Sequence, residues 1–402
     1  MASKISLSVV PKNDSYDEEK TRIMELPKEL LTDIICRLPI SSLYNMKPLL
    51  LHNKEFHSII SDPKFPQFYQ TYDNIHPCSF IAYTSSLYDT RMSLIEYDSN
   101  RNDFIITRLN MEFVPAFSRK DMMMLQRIEV LASCNGLFLV RLWRYDEHYY
   151  YNARAETFMF LVDPINRRYL TIPQIIELST TRSLERYAFG YVPKIGKYKV
   201  VRFLEKSYEI LTINNNNKFE CTNWRKRIIT HDHPLYREYT ENDTIHKFKN
   251  PVVWEGSLYC LVDRDTKILK LDMEKEELEL VFTPSVMLES SFYVGSLGVL
   301  GESLYIAINR FGDENVEVWM MEESWRKAFV IGESQCNKFD YPFKIIRVYD
   351  DGKILIYSSN SRKLYLLDPK DERSEEKSIE IQGMGFMDDI KFVPSFLPLK
   401  HV

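Results

Sequence analysis

The feature that most constrains this chain is a unit that recurs along its second half. Gly256-Ser-Leu-Tyr-Cys-Leu-Val262 leads to Ile268-Leu-Lys-Leu-Asp272 and an apolar pair, Leu280-Val281. Gly352-Lys-Ile-Leu-Ile-Tyr357 leads to Lys363-Leu-Tyr-Leu-Leu-Asp368, with Ile379 and Ile381 following. Glycine and aspartate are 16 residues apart in both copies (256 to 272, 352 to 368). Gly301 to Ala307 with Val316 to Glu322 is a third copy, and Gly136 to Val140 with Phe158 to Asp163 a fourth. Weaker copies end near Asp98 and Asn214, so the turn markers at 98, 163, 214, 272, 322 and 368 are spaced by 46 to 65 residues.

Each copy reads as a β meander. Short alternating runs are strands with one face inward, and an aspartate bonding to the amides just beyond it opens a tight turn. One such sheet cannot bury its faces alone, so copies must stack. Repeats of this length built from short strands predict propeller blades. Six are counted, with Ile390-Lys-Phe-Val393 available to close the ring. An irregular sandwich of two large sheets is the rival arrangement.

Composition narrows the function classes. Glycine numbers only 12, against 25 tyrosines and 23 phenylalanines, which suits strands packed on both faces and not phosphate-wrapping loops. The formal net charge is −5 without a long basic block, so nothing predicts a grip on nucleic acid. No apolar run reaches the ~20 residues of a membrane span, and residues 1–22 lack the apolar core of a secretory signal. Six scattered cysteines read as reduced thiols. A cytoplasmic or nuclear protein is expected.

Ahead of the β region, residues 1–23 read as a disordered tail, and residues 24–72 as a three-helix module. Leu26, Leu30, Ile34 and Leu38 recur every four residues, and Leu31 and Ile35 widen the stripe. Pro27 suits a first turn and Pro39 forces a stop. Ser41 or Ser42 could cap a second helix through Leu43, Met46 and Leu50, and Phe56, Ile59 and Ile60 mark a third. A unit this small is near the lower limit of independent stability. Its apolar stripe is either packed within the chain or offered to a partner.

Leu26-Pro-Lys-Glu-Leu30, Ile34-Ile-Cys-Arg-Leu-Pro39, Ser42-Leu43 and Ile59-Ile-Ser-Asp-Pro63, in that order, resemble the F-box of plant F-box proteins. The segment Lys47 to Phe56 departs from the family pattern: it is about one helical turn longer, has Phe56 in place of a tryptophan, and contains Pro48. Ala188-Phe-Gly-Tyr191 with Tyr198-Lys-Val-Val-Arg202 resembles a signature of the F-box-associated domain. Ser133 to Leu137, Asp163 to Arg167, Leu297 to Gly301, Val316 to Trp319 and Glu323 to Arg326 match in order. The S-locus F-box group is one branch of that family.

The resemblance implies a small all-α F-box followed by an all-β, kelch-like, six-bladed propeller over 78–400. It implies a non-catalytic substrate-recognition subunit of a Skp–cullin–F-box ubiquitin ligase. The expected partners are a Skp-type adaptor, through it cullin and RING subunits, and an unknown protein target, with no cofactor, nucleic acid or membrane. Leu26, Pro27, Leu30, Ile34, Leu38, Pro39 and Leu43 would form or support the adaptor-binding face. A scaffold that has lost its ligase link is the alternative.

The sequence carries no strong catalytic or metal-site signature. No phosphate-binding glycine loop is present, and Gly295 to Gly301 reads as strand. His231-Asp-His233 lacks further ligands at metal-site spacing. Glu274, Glu276, Glu277 and Glu279 beside Asp272 read as a solvated hairpin edge. Propellers also host enzymes, but no convergent acids or nucleophile stand out. One insertion between Val140 and Phe158 is rich in Trp, Tyr and Arg, the residue types that dominate protein–protein hot spots. Trp143, Tyr145, Tyr149 and Tyr150 in it, and Tyr236 and Tyr239 in the loop 231–250, are candidate target-binding residues. Covering the adjoining blade is an equal explanation for Trp143 and its neighbours.

Overall fold

A computed structural model describes residues 26–60, 62, 65–70, 79–83, 92–98, 103–111, 114, 124–146, 156–164, 167–173, 186–204, 207–214, 220–229, 249–262, 267–284, 287, 292–310, 314–341, 343–349, 351–358, 360–361, 363–368 and 377–380. Two compact units divide the chain, Met1–His76 and Pro77–Val402.

The first unit holds four described helices rather than three: α1 (Lys28–Cys36), α2 (Ile40–His52), α3 (Lys54–Ile60) and α4 (Phe65–Gln70). Pro27 precedes α1 with extended backbone, ψ 146°, where a missing N–H costs nothing. The first helix ends at Cys36, ahead of Pro39, and the next begins at Ile40, so Ser41 is a buried helical residue and not a cap. Asn53 caps α3 instead, its Oδ1 accepting from the amides of Glu55 (2.8 Å) and Phe56 (3.3 Å). The extra helix α4 is tied back by Tyr69, whose hydroxyl donates to the Leu38 carbonyl at 2.8 Å.

The second unit is a series of antiparallel meanders. The first sheet is β1 (Ser79–Tyr83), β2 (Met92–Asp98) and β3 (Asp103–Leu109). The second is β4 (Met124–Cys134), β5 (Leu137–Asp146), β6 (Glu156–Asp163) and β7 (Arg168–Ile172). In the third, β8 (Arg186–Val192), β9 (Lys197–Phe203) and β10 (Ser207–Asn214) share an outer edge split into β11 (Glu220–Cys221) and β12 (Arg225–Ile228). The fourth is β13 (Lys249–Trp254), β14 (Ser257–Val262), β15 (Lys267–Asp272) and β16 (Glu277–Val281). The fifth is β17 (Phe292–Leu300), β18 (Ser303–Arg310), β19 (Val316–Met321) and β20 (Trp325–Ile331). The sixth is β21 (Phe343–Val348), β22 (Ile354–Ser358), β23 (Lys363–Leu367) and β24 (Lys377–Glu380).

The recurring glycine opens the second strand of a sheet and the recurring aspartate closes the third. Asp272 Oδ1 accepts from the amides of Glu274 (2.9 Å) and Lys275 (3.0 Å), which is the turn its position implies. At the preceding turn, Asn135-Gly136 and Glu255-Gly256 both take positive φ, 48° and 72° in each pair. Asparagine adopts that region at lower cost than glutamate. Glu255→Asn is therefore expected to raise stability by up to about 1 kcal/mol, read as a higher midpoint in urea unfolding.

The count of six full blades is corrected to five. The first strands β4, β8, β13, β17 and β21 neighbour one another in a continuous run, and each heads a sheet of four or more strands. The first sheet has three described strands. Its β2 ends in the Asp98 marker as β6 ends in Asp163 and β15 in Asp272, so β1, β2 and β3 hold the second, third and fourth positions of a meander. No described strand occupies the first.

Cores lie between successive sheets. Leu139, Leu161, Phe189, Tyr198 and Val200 join the second sheet to the third. Val201, Phe203, Ile210, Leu258, Leu269 and Leu271 join the third to the fourth. Leu261, Ile268, Leu304 and Ile306 join the fourth to the fifth. Ala307, Val318, Phe343 and Ile356 join the fifth to the sixth. The series then returns to its beginning: Ile95 and Tyr97 of β2 pack with Leu355, Tyr357, Leu364 and Leu366 of the sixth sheet. Close approach of inner strands explains two glycines, because a Cβ at Gly190 would lie 2.7 Å from Val253 and one at Gly295 2.6 Å from Phe343.

Tryptophan indoles add hydrogen bonds between sheets. Trp224 Nε1 donates to the Pro173 carbonyl (2.9 Å), Trp254 Nε1 to Glu302 (2.7 Å) and Trp325 Nε1 to Phe282 (2.7 Å). Trp325→Phe keeps the ring and removes the donor, so a loss of about 1 kcal/mol is expected. An unchanged unfolding midpoint would show that water serves the Phe282 carbonyl equally well.

Candidate interaction surfaces

In the first unit, α1 carries two apolar rows on nine residues. Leu31, Ile35 and Cys36 form the buried row, each at 1% exposure or less. Leu30 and Ile34, at 52% and 44%, form an open row on the neighbouring face. Burial pushes the Cys36 thiol up to about 11, with Asp33 adding to the effect, so it behaves as a small apolar filler. Of the seven expected adaptor-face residues, Pro27, Leu30 and Ile34 are exposed, and Leu26, Leu38 and Pro39 are half-buried. Leu43 is buried at 2% and supports the face from within. Met46 and Phe68 are further exposed apolar side chains of this unit that periodicity did not single out for that face. Arg37 pairs with Asp33 at 2.9 Å near the helix end, but both are exposed, and such pairs contribute little.

In the second unit, the aromatic insertion begins as strand. β5 continues to Asp146 and β6 starts at Glu156, because Arg141 and Trp143 extend the alternation of Leu137 and Leu139 on the face toward the third sheet. Arg141 is buried and held by Glu129 through Nη2 (2.6 Å) and Nε (3.0 Å). Its guanidinium lies 4.6 Å from the Trp143 ring centre and 5.4 Å from that of Tyr187. Beside Tyr187, Arg202 and Glu209 form a buried cross-strand pair at 2.9 Å. Trp143 is thus half-buried in a charged aromatic layer between two sheets. Tyr145 is in β5 opposite Leu125, and its side chain lies outside the described residues. Tyr149, Tyr150, Tyr236, Tyr239 and the pair His231 and His233 also lie outside them.

Strand directions bring the ends of β5 and β12 to one end of the sheets. Asn135 donates to the Tyr198 hydroxyl at 3.4 Å, placing the starts of β5 and β9 together, and Arg141 meets Tyr187 opposite Arg202 near both ends. β10 runs against β9 and β12 against β10, so β12 is parallel to β5. The chain leaves β5 and β12 at the same end.

Glu274, Glu277 and Glu279 are exposed, as a solvated hairpin edge implies, but Glu276 is not. Glu276, at φ 63° in the turn after β15, has a side chain only 8% exposed. It receives Lys199 (2.9 Å) and Arg227 (2.9 Å), together with Arg225, all from the third sheet. Lys199 also donates to the Met273 carbonyl, and the Tyr208 hydroxyl to the Glu276 carbonyl at 2.8 Å. Burial pushes the Glu276 carboxyl up, but hydrogen bonds from Lys199 and Arg225, the Lys199 charge and the Arg227 bond together hold it below its ordinary value. Glu276 is a fastening between the third and fourth sheets.

Among the described residues, no group of three or more His, Cys, Asp or Glu could hold a metal ion. No described helix is long and apolar enough to cross a membrane.

The family model for the F-box associated beta propeller domain matches residues 90–398. The chain belongs to that family. F-box-associated propellers are typically non-catalytic interaction modules, in keeping with an all-β second unit of meanders. A search of curated proteins returned no match. Among solved structures, this F-box-associated chain is similar to YCF48 from Cyanidioschyzon merolae (10% identity, 75% of this chain and 85% of that one, TM-score 0.37). It is also similar to the six-bladed Aleuria aurantia lectin (10%, 80% and 97%, 0.33) and to a chain of the nidogen/laminin complex (8%, 63% and 93%, 0.27). At these TM-scores the likenesses say nothing about blade number or binding.

Proposed function

We propose that this chain is the substrate-recognition subunit of a Skp–cullin–F-box ubiquitin ligase of plant type. Its helical unit, an F-box over residues 24–72, binds a Skp-type adaptor and through it the cullin and RING subunits. Its β unit, over 78–400, holds a protein target for ubiquitination. Ubiquitin transfer belongs to the other subunits, so the chain needs no catalytic group and no cofactor, and its place of work is the cytoplasm or nucleus.

The observation that carries this reading is the open Leu30–Ile34 row of α1, exposed while Leu31 and Ile35 serve the core, in a chain whose β unit belongs to the F-box-associated family. Pro27, half-buried Leu26, Leu38 and Pro39, and the supporting Leu43 complete the adaptor face. The target is selected by Trp143 and Tyr145 at the end of β5 and by Tyr149, Tyr150, Tyr236 and Tyr239 in the segments that follow β5 and β12, a choice supported by the exit of the chain from both strands at one end of neighbouring sheets. The β unit is a kelch-like propeller, a reading supported by the packing of its first sheet on the sixth.

Purified chain mixed with a Skp-type adaptor should elute as a 1:1 complex in size-exclusion chromatography. Separate elution at micromolar concentrations would remove the ligase reading. It would favour a scaffold without ligase coupling, which has one observation behind it: α2 runs through Pro48, where a proline removes a helical hydrogen bond.

A further inference from the structure

We propose that β12 is a docking edge for an acidic, extended segment of a partner protein, which adds to the third sheet as a further strand. The proposal rests on reading the β unit as the part that holds a target, and it names the chemical class of that target.

Charge is unevenly distributed along the chain. The described residues of the third sheet and its turns, within 186–229, carry eight lysines and arginines against Glu209 and Glu220, in a chain whose formal net charge is −5. Glu274 and Glu276 of the fourth sheet offset two of the cations, so a positive excess remains. Arg225-Lys-Arg227 puts three of them in a row on β12, with no acid among them. The other outer strands differ: β3, β16 and β24 carry carboxylates, while β7 has one cation and β20 two. A local field of this kind selects partners of the opposite sign.

Both faces of β12 have room for a further acid. On one face, Arg225, Arg227 and Lys199 share the Glu276 carboxylate, three cations to one anion. On the other, Lys226 is opposite Glu209, whose carboxylate already receives Arg202. The strand is also held in place from behind. The Thr212 amide donates to Thr222 Oγ1 at 3.1 Å, and Arg225 Nη2 donates to the Thr212 hydroxyl at 3.1 Å, bridging the break between β11 and β12. An edge fixed in this way loses little freedom when a partner pairs with it.

β12 pairs with Ser207 to Ile210 of β10, which directs alternate N–H and C=O groups to its far side. Its side chains are open, Arg225 at 39%, Arg227 at 50% and Ile228 at 73%. Like charges along an edge discourage indiscriminate pairing. An acidic strand instead gains opposite-charge cross-strand pairs together with the main-chain bonds of strand addition. Ile228 adds a place for one apolar residue beside the acids. A nucleic acid would use the cations but neither the main-chain groups nor Ile228.

The test uses the full chain and a fluorescein-labelled peptide with a Val-Glu-Glu-Glu-Val core flanked by threonines, a pattern that reads the same in both strand directions. Fluorescence anisotropy should show saturable binding in the micromolar range. Methylating the backbone nitrogens of one alternate set of peptide residues should weaken it about tenfold or more, and methylating the other set should not. Lys226→Glu should weaken it about tenfold, and a peptide with lysine at the central position should then bind the variant more tightly than the parent. No binding, equal binding of a Val-Lys-Lys-Lys-Val peptide, or indifference to both methylated sets overturns the proposal. A single-stranded oligonucleotide of equal charge that binds more tightly than the peptide also overturns it, by assigning the cations to nucleic acid. If Lys226→Glu does not fold, the methylated peptides on the parent chain decide. A preparation that binds the Skp-type adaptor but not the peptide fails the edge alone, and one that binds the peptide but not the adaptor fails the ligase reading alone.

Discussion

Replacing Leu30 and Ile34 together by aspartate is expected to abolish binding to a Skp-type adaptor while the chain stays folded. Both side chains are about half exposed and contribute little to the core of their own unit, and substitutions at such positions usually shift stability by less than about 0.5 kcal/mol. At an interface, a buried apolar anchor contributes about 2 kcal/mol or more, so two together predict at least a 100-fold weaker complex, roughly 2.7 kcal/mol. Aspartate adds the cost of burying a charge without a partner. Titration calorimetry reads the affinity and circular dichroism the helix content. The paired control is Leu31→Asp, which places a carboxylate at a position 1% exposed and should unfold the helical unit outright. If the double variant binds as tightly as the parent, the open row is not the adaptor face.

The second large effect concerns the fastening between the third and fourth sheets. Glu276→Gln is expected to lower stability by about 3 kcal/mol, because removing one partner from a buried ion pair leaves the other charge uncompensated. That other charge is Lys199, whose side chain is 4% exposed. The loss should depend on pH in a defined direction. Glu276 has a lowered pKa in the folded chain, so its contribution is complete above the ordinary value of 4.5 and declines as pH falls through the folded pKa. Parent and variant should therefore differ most at neutral pH and converge below about pH 4.5. Asp272 and Glu317, also held low by their hydrogen bonds and neighbouring cations against the opposing effect of burial, are common to both proteins and cancel in the comparison. Urea midpoints at pH 7 and pH 4 decide the matter, and a constant difference across that range would mean that the carboxylate's charge is not what fastens the sheets.

Much of this architecture was legible beforehand, and the reasons differ by element. The glycine-to-aspartate unit is a local code: a positive-φ turn, two strands and an aspartate-capped turn, all encoded within some twenty residues. It therefore located β5 and β6, β14 and β15, β18 and β19, and β22 and β23. Helix α1 was equally legible from its four-residue spacing. Which of its two rows faces inward was not, since Leu30 and Leu31 differ by a rotation that only the packing of α3 decides. The role of Glu276 was hidden for the same reason. Its partners are 49 to 77 residues away, and in one dimension a glutamate among glutamates looks solvated. A signal existed in the basic run Arg225-Lys-Arg227 and in Lys199 on an otherwise apolar strand. The aromatic insertion was misjudged at its start because Arg141 and Trp143 look like loop residues until a cross-strand glutamate and a neighbouring sheet are supplied. The proposed target residues beyond Asp146 lie outside what the structure describes.

The packing of the first sheet on the last has a consequence in time. Ile95 and Tyr97 are synthesised early, and their partners Leu355 and Tyr357 follow 260 residues later (95 to 355, 97 to 357). At a translation rate of about 5–20 residues per second, the interval is roughly 13–50 s. Throughout it the nascent chain carries an apolar β surface with no native counterpart, long after a hairpin could form in microseconds. Production of this protein should therefore be limited by chaperone supply during synthesis more than by the stability of the finished fold.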